Sequence, residues 1–280
     1  MIEVKDLKFS YNNNEFIKDI NFKVEKGMIF GFLGPSGAGK STLQKILTGL
    51  ITNYEGHAVV NGVECKHHTN GFYENIGVDF EFPTLYEKLS ARENFNFFAS
   101  LYSHQTLPID QLLESVGLQN DADKKVSQYS KGMKSRLNFI KALINDPEVL
   151  FLDEPTSGLD PTNSRMMKDL ILAEKNKGKT IILTTHNMED ATELCDQVAF
   201  IINGQICVID SPKNLILSHG AKQVTYTYDD NGLKTGNCLL NQLSEDVRLY
   251  QLIQQNKILS IHSSEPTLND IFIELTGRTL

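Results

Sequence analysis

The chain has 280 residues, 40% of them hydrophobic and 22% charged, proportions that exclude a disordered chain and suit one large or two modest domains. Its net charge of −8, from 35 acidic against 27 basic residues, repels a phosphodiester backbone, so nucleic acid is not an expected partner.

In chain order, residues 2–9 and 17–24 alternate apolar and polar side chains on either side of Tyr11-Asn12-Asn13-Asn14, the pattern of an antiparallel hairpin. Tyr11 closes the first arm and has two readings, an aromatic flanking the turn or a ring that stacks on a purine. The apolar run 28–33 then leads into Gly34-Pro35-Ser36-Gly37-Ala38-Gly39-Lys40-Ser41, a full GxxxxGK[ST] phosphate loop between a strand and a helix that ends by Gly49. Its glycines let backbone N–H groups turn inward, the positive end of the helix adds attraction for phosphate, Lys40 supplies a point charge and Ser41 a hydroxyl for Mg²⁺. Residues 58–61 and 76–82 read as further strands.

From Pro83 the pattern becomes helical. Ser90 and Glu93 form a capping box ahead of Phe95, Phe98, Leu101 and Tyr102, and a second helix carries Leu112, Leu113 and Val116 up to Gly117. These aromatics read as core or as an exposed docking patch. Tyr129-Ser130-Lys131-Gly132-Met133 opens another helix. Residues 149–154 form an apolar run ending in Asp153 and Glu154, as in a buried central strand whose tip faces the nucleotide. Asp153 is expected to hold Mg²⁺ and Glu154 to orient and polarise water, because phosphoryl transfer needs positioning and charge neutralisation more than covalent chemistry. Ser157-Gly158-Leu159-Asp160 makes a turn, and a strand over 180–185 ends at His186, a third polar tip aimed at the same sheet edge. Beyond about Ser211 comes a small unit: a strand with Val224, Tyr226 and Tyr228, a turn at 229–232, a helix over 239–253, a strand over 257–262, and a helix capped by Thr267 and stopped by Gly277.

Cys65, Cys195, Cys207 and Cys238 lie far apart, which predicts inert thiols in a reducing, cytoplasmic setting. His67 and His68 lack a further ligand at zinc spacing and are expected in a solvated loop. No apolar run approaches the ~18 residues needed to cross a bilayer, and the start does not read as a signal peptide.

These motifs resemble, in order and over about residues 1–210, the ATP-binding cassette (ABC) family. The resemblance implies an α/β fold: a P-loop ABC ATPase with a mixed central sheet, an antiparallel β subdomain and an α-helical subdomain at about 83–145, with a small α+β C-terminal extension at 211–280. It implies ATP and Mg²⁺ as cofactors, with Tyr11 stacked on adenine, Gly34, Pro35, Ser36, Gly37, Ala38, Gly39, Lys40, Ser41 and Thr42 around the phosphates, and Ser130, Lys131 and Gly132 as the signature. Glu154, His186 and Lys40 would be catalytic, Ser41, Asp153 and Glu81 would hold the metal, and Asp160 would close the D-loop. Two cassettes would pair head to tail, each signature closing over ATP on the other's P-loop, and an integral-membrane permease would hold the pair at the inner face of the membrane. The signature YSKGM is similar to that of drug and antibiotic exporters of the daunorubicin-resistance type. Glu81, where the family usually has glutamine, is similar to lantibiotic-immunity and bacitracin-resistance exporters, as is the extension with Glu265-Pro266-Thr267-Leu268. An ATPase acting on DNA would need a coiled-coil insertion or a basic face, one acting on ribosomes a second cassette, and a P-loop kinase no signature.

Overall fold

The computed structural model describes residues 1–12, 14–82, 84–220, 223–230, 232–263 and 265–277, and the chain divides into two compact units, Met1–Asp210 and Ser211–Thr279. Asn13, Pro83 and Asn231, expected in turns and at the start of the helical region, lie outside the described residues.

In the first unit β1 (Ile2–Tyr11) and β2 (Asn14–Val24) form the expected antiparallel pair, and β1 also pairs with β4 (Glu55–Val60), which meets β5 (Val63–Glu64). The alternating side chains explain this layer: Ile2, Val4, Leu7, Ile17, Ile20 and Val24 turn inward and are buried, while their neighbours face water. The second sheet runs in the order β10 (Gln205–Asp210), β9 (Gln197–Ile202), β3 (Ile29–Leu33), β8 (Thr180–Thr185), β7 (Val149–Asp153), β6 (Ile76–Asp79). All its pairings are parallel except that of β10 with β9. Every residue of β3 and β8 is buried, which is why these strands read as continuous apolar runs without alternation. Phe22 of the first sheet stacks on Phe30 of the second at 5.4 Å and meets Phe32 edge-on at 5.3 Å, so one core joins both layers. The connections are α1 (Lys40–Leu47), α2 (Asn70–Tyr73), α3 (Ala91–Ala99), α4 (Ile109–Ser115), α5 (Lys131–Lys141), α6 (Pro161–Asn176) and α7 (Met188–Leu194).

The capping box at Ser90 and Glu93 is present at the start of α3. Strand β6 stops at Asp79, short of the predicted 82, and α3 starts only at Ala91, so the described residues between them are neither strand nor helix. Phe95 is fully buried, whereas Phe82 (75%) and Tyr86 (50%) are exposed. The aromatic stretch is therefore divided between core and surface. His68 is not a solvated loop residue: its ring bonds the Cys65 carbonyl at 2.7 Å and Tyr73 Oη at 2.9 Å.

The second unit contains α8 (Pro212–His219), β11 (Gln223–Asp229), β12 (Leu233–Leu239), α9 (Val247–Gln254), β13 (Ile258–Ser263) and α10 (Leu268–Thr276). Its sheet is ordered β12-β11-β13, with Tyr226 and Tyr228 packed against Leu249 and Leu252. The predicted helix over 239–253 is shorter than expected, because residues 233–239 complete a hairpin with β11 and only 247–254 are α-helical. Strand β12 is mostly exposed and lacks the alternation that marks a half-buried strand. Thr267 and Asp270 form a capping box on α10, and Gly277 ends it at φ 65°.

Candidate active site

The phosphate loop leaves β3 at Leu33 and enters α1 at Lys40. At Gly34 a Cβ would lie 2.2 Å from the Ile201 carbonyl oxygen, so the loop can take this path only with glycine there. Helix α1 starts at Gly39 without a side-chain cap, which leaves its first turn of N–H groups as an anion site. Lys40 is 8% exposed, and its ammonium donates to the carbonyls of Gly34 at 2.6 Å and Pro35 at 3.2 Å. Burial pulls its pKa below the usual lysine range, while Glu154, Asp153 and Glu81 act in the opposite direction. Those three carboxylates thus share an electrostatic neighbourhood with the loop.

Asp153 ends β7 and accepts a hydrogen bond from the Thr184 hydroxyl on β8. Glu154 comes next, in the left-handed region at φ 51°, a conformation that costs a non-glycine residue energy. Its N–H donates to the Thr184 carbonyl at 2.9 Å, and its carboxylate receives the Thr185 hydroxyl at 3.2 Å and lies 2.8 Å from His186 Nδ1. Two adjacent parallel strand tips therefore fix the acid pair and the histidine together.

A cavity of about 310 Å³ is lined by residues 36–42 of the loop, Phe16, Glu81, Asp153, Glu154 and His186. Gly34 and Pro35 stand behind it as acceptors for Lys40. Ser41, Asp153 and Glu81 bring oxygen donors to this one space. Among the described residues no group of three or more His, Cys, Asp or Glu is placed to hold a metal by itself. Oxygen donors such as those of Ser41, Asp153 and Glu81 are the type that a hard cation takes.

The remaining predicted residues lie elsewhere. Tyr11 is 44% exposed, is 3.3 Å from the Thr42 hydroxyl, and meets Phe9 and Phe16 edge-on. Phe16, which no sequence motif marks, lines the cavity, and Tyr11 does not. Ser130 caps α5 by accepting from the Met133 N–H at 3.2 Å, and Asp160 caps α6. Neither they nor Lys131 and Gly132 line the loop cavity. Lys131 borders a second cavity of about 460 Å³, which shares Glu81, Asp153 and Glu154 with the first. Thr184, Thr185 and Asp79 are likewise unmarked in the sequence. Asp79, at the tip of β6, is 4% exposed and takes a hydrogen bond from Asn138, and burial pushes its carboxyl up to about 7. Only the sheet order reveals these three, because their importance comes from the strand tips beside them.

Residues 17–157 match the family model described as ABC transporter. A fluoroquinolones export ATP-binding protein of Mycobacterium tuberculosis is 47% identical over 100% of this chain and 94% of that protein. The chain belongs to the ABC transporter family. The lantibiotic transport ATP-binding protein SrtF of Streptococcus pyogenes is 36% identical over 77% of this chain and 94% of its own length. A solved structure of the ATP-binding subunit of an ABC transporter superposes with a TM-score of 0.74 at 24% identity, covering 99% of each chain, which bears out the cassette fold with its antiparallel and parallel sheets and C-terminal extension. As an ABC-type ATPase the chain takes ATP as its nucleotide. No helix among the described residues is long and apolar enough to cross a membrane.

Proposed function

We propose that this chain is the ATP-hydrolysing subunit of an exporter for drugs, peptides or antibiotics, working from the inner face of the membrane through a separate permease. The observation that carries the reading is the convergence of Lys40, Asp153, Glu154, His186 and Glu81 on one cavity beyond the tips of β3, β6, β7 and β8. The phosphates of ATP fit the uncapped first turn of α1, and Ser41, Asp153 and Glu81 are the residues to hold Mg²⁺. The bound ion would neutralise charge on the transferring phosphoryl group. Glu154 is the group to polarise the attacking water, kept in place by the Thr184 carbonyl and the Thr185 hydroxyl. His186, 61% exposed at its side chain, reaches toward the same phosphate.

Ser130, Lys131, Gly132 and Asp160 lie outside the loop cavity, which supports a site completed by a second cassette. The export name of the fluoroquinolones relative supports the direction of transport. In this reading residues 1–210 are the nucleotide-binding domain, with 83–145 as its helical subdomain, and 211–280 are an extension.

The permease contact is assigned to a groove of about 420 Å³ lined by Tyr73, Val78, Phe80, Phe98, Leu101 and Lys141. Lys141 lies over the Phe98 ring at 5.4 Å, and Tyr86 packs on Phe97 and Phe98 beside it. A short amphipathic helix of the permease fits such a surface. Phe95, expected here, belongs to the core instead. Replacing Leu85 and Tyr86 together with Asp is expected to release the chain from membranes while basal ATP hydrolysis stays within about twofold of the parent, since surface changes away from a site cost little. A double variant that stays membrane-bound would refute the docking assignment.

A further inference from the structure

The Ser130-Lys131-Gly132 segment touches the turn after Glu154 within the same chain. A Cβ built on Gly158 would lie 1.9 Å from Lys131 Nζ and 3.2 Å from its Cε, so the ammonium rests directly on the Gly158 α-carbon. Gly158 has φ 63°, a left-handed conformation that favours glycine, and the missing side chain leaves the space that the ammonium occupies. One position further along α5, a Cβ on Gly132 would lie 2.8 Å from the Asn163 side-chain carbon. The Asn163 amide in turn donates to Asp160 Oδ2 at 2.5 Å, and Asp160 Oδ1 accepts the Asn163 N–H at 3.1 Å. The start of α5 thus reaches the turn at two places, through Lys131 at Gly158 and through Asn163 at Asp160.

That turn is continuous with Glu154. The Ser157 N–H donates to the Glu154 carbonyl at 3.0 Å, and the Leu159 N–H to the Thr156 carbonyl at 3.2 Å. Because Glu154 sits in a left-handed conformation, the direction of its carboxylate depends on the path of residues 155–158 as well as on the Thr184 bond. A lysine in the first turn of a helix sits at the positive end of the helix dipole, where it is disfavoured. The carboxylates of Glu81, Asp153 and Glu154 line the same cavity as Lys131.

We propose that Lys131 is a positioning residue: its ammonium, seated on Gly158, ties the signature segment to the turn carrying Glu154, so that movement of the signature is felt at the base. This rests on the reading of Glu154 as the base. The test uses the full chain with Lys131→Gly, Lys131→Met and Lys131→Arg, and Glu154→Gln alongside. Turnover (kcat and KM) is measured together with affinity for a fluorescent ATP analogue. Lys131→Gly and Lys131→Met are expected to lower kcat about tenfold with analogue affinity unchanged, and Lys131→Arg to retain most of the activity. If Lys131→Gly or Lys131→Met turns over like the parent while Glu154→Gln is inactive, the proposal is wrong. A parallel fall in affinity also overturns it, because the contact would then be merely structural. Turnover surviving in Glu154→Gln would overturn the base assignment instead.

Discussion

Two helices of this chain begin with a lysine, and they treat it in opposite ways. In α1, Lys40 is buried, bonded to two carbonyls of its own loop, and preceded by Gly39, which caps nothing. In α5, Lys131 is exposed and preceded by Ser130, whose hydroxyl already accepts from the first turn. The first helix offers its N–H groups and a fixed charge to a phosphate inside the chain. The second has satisfied part of its own first turn, and its lysine reaches the Gly158 turn, not a carbonyl of its own loop. In the proposed reading one end is a phosphate site by itself and the other is half of one, as the pairing of two cassettes requires.

The comparison can be broken by measuring ATP affinity in the isolated chain. Lys40→Ala should weaken it most, by ~1.5–3 kcal/mol, the range for a hydrogen bond to a charged group, or about 10- to 100-fold in Kd by fluorescence titration. Tyr11→Ala should cost less. A stacked base is worth about 1–3 kcal/mol, and the lower end is expected here because Phe16 lines the cavity and Tyr11 does not. An unchanged Kd would leave Tyr11 a packing partner of Thr42, Phe9 and Phe16 with no part in binding the base. Ser130→Ala should leave the affinity of the isolated chain unchanged yet lower turnover, and its effect should appear only when two chains meet. Loss of affinity in that variant would mean that α5 contacts the nucleotide of its own chain.

How far the sequence carries this picture depends on the kind of signal. The phosphate loop, the Asp153-Glu154 tip and His186 are legible because their residue types are demanded by phosphate chemistry and stand at the ends of strongly apolar strands. The capping boxes at Ser90 and Thr267 are equally clear, being local in sequence. Strand β12 escapes a sequence reading because an exposed edge strand with Leu233, Gly236 and Leu239 has no alternating face. Phe16, Thr184 and Thr185 escape it for another reason. Each matters through a neighbour that only sheet pairing brings near, as when β7 and β8 align Asp153 with Thr184. The contact of Lys131 with Gly158 belongs to the same class, since it joins residues 27 positions apart through the approach of α5 to the D-loop turn.

If two chains complete one site, the most direct measurement of it is the mass of the Glu154→Gln chain in solution with ATP. Removing the base while keeping its size should stop hydrolysis and leave binding intact, so the ATP-bound chain should sediment as a dimer and the ADP-bound chain as a monomer. Adding Ser130→Ala should return the ATP-bound chain to monomer. A Glu154→Gln chain that binds ATP at full occupancy and remains monomeric at every concentration would contradict the account.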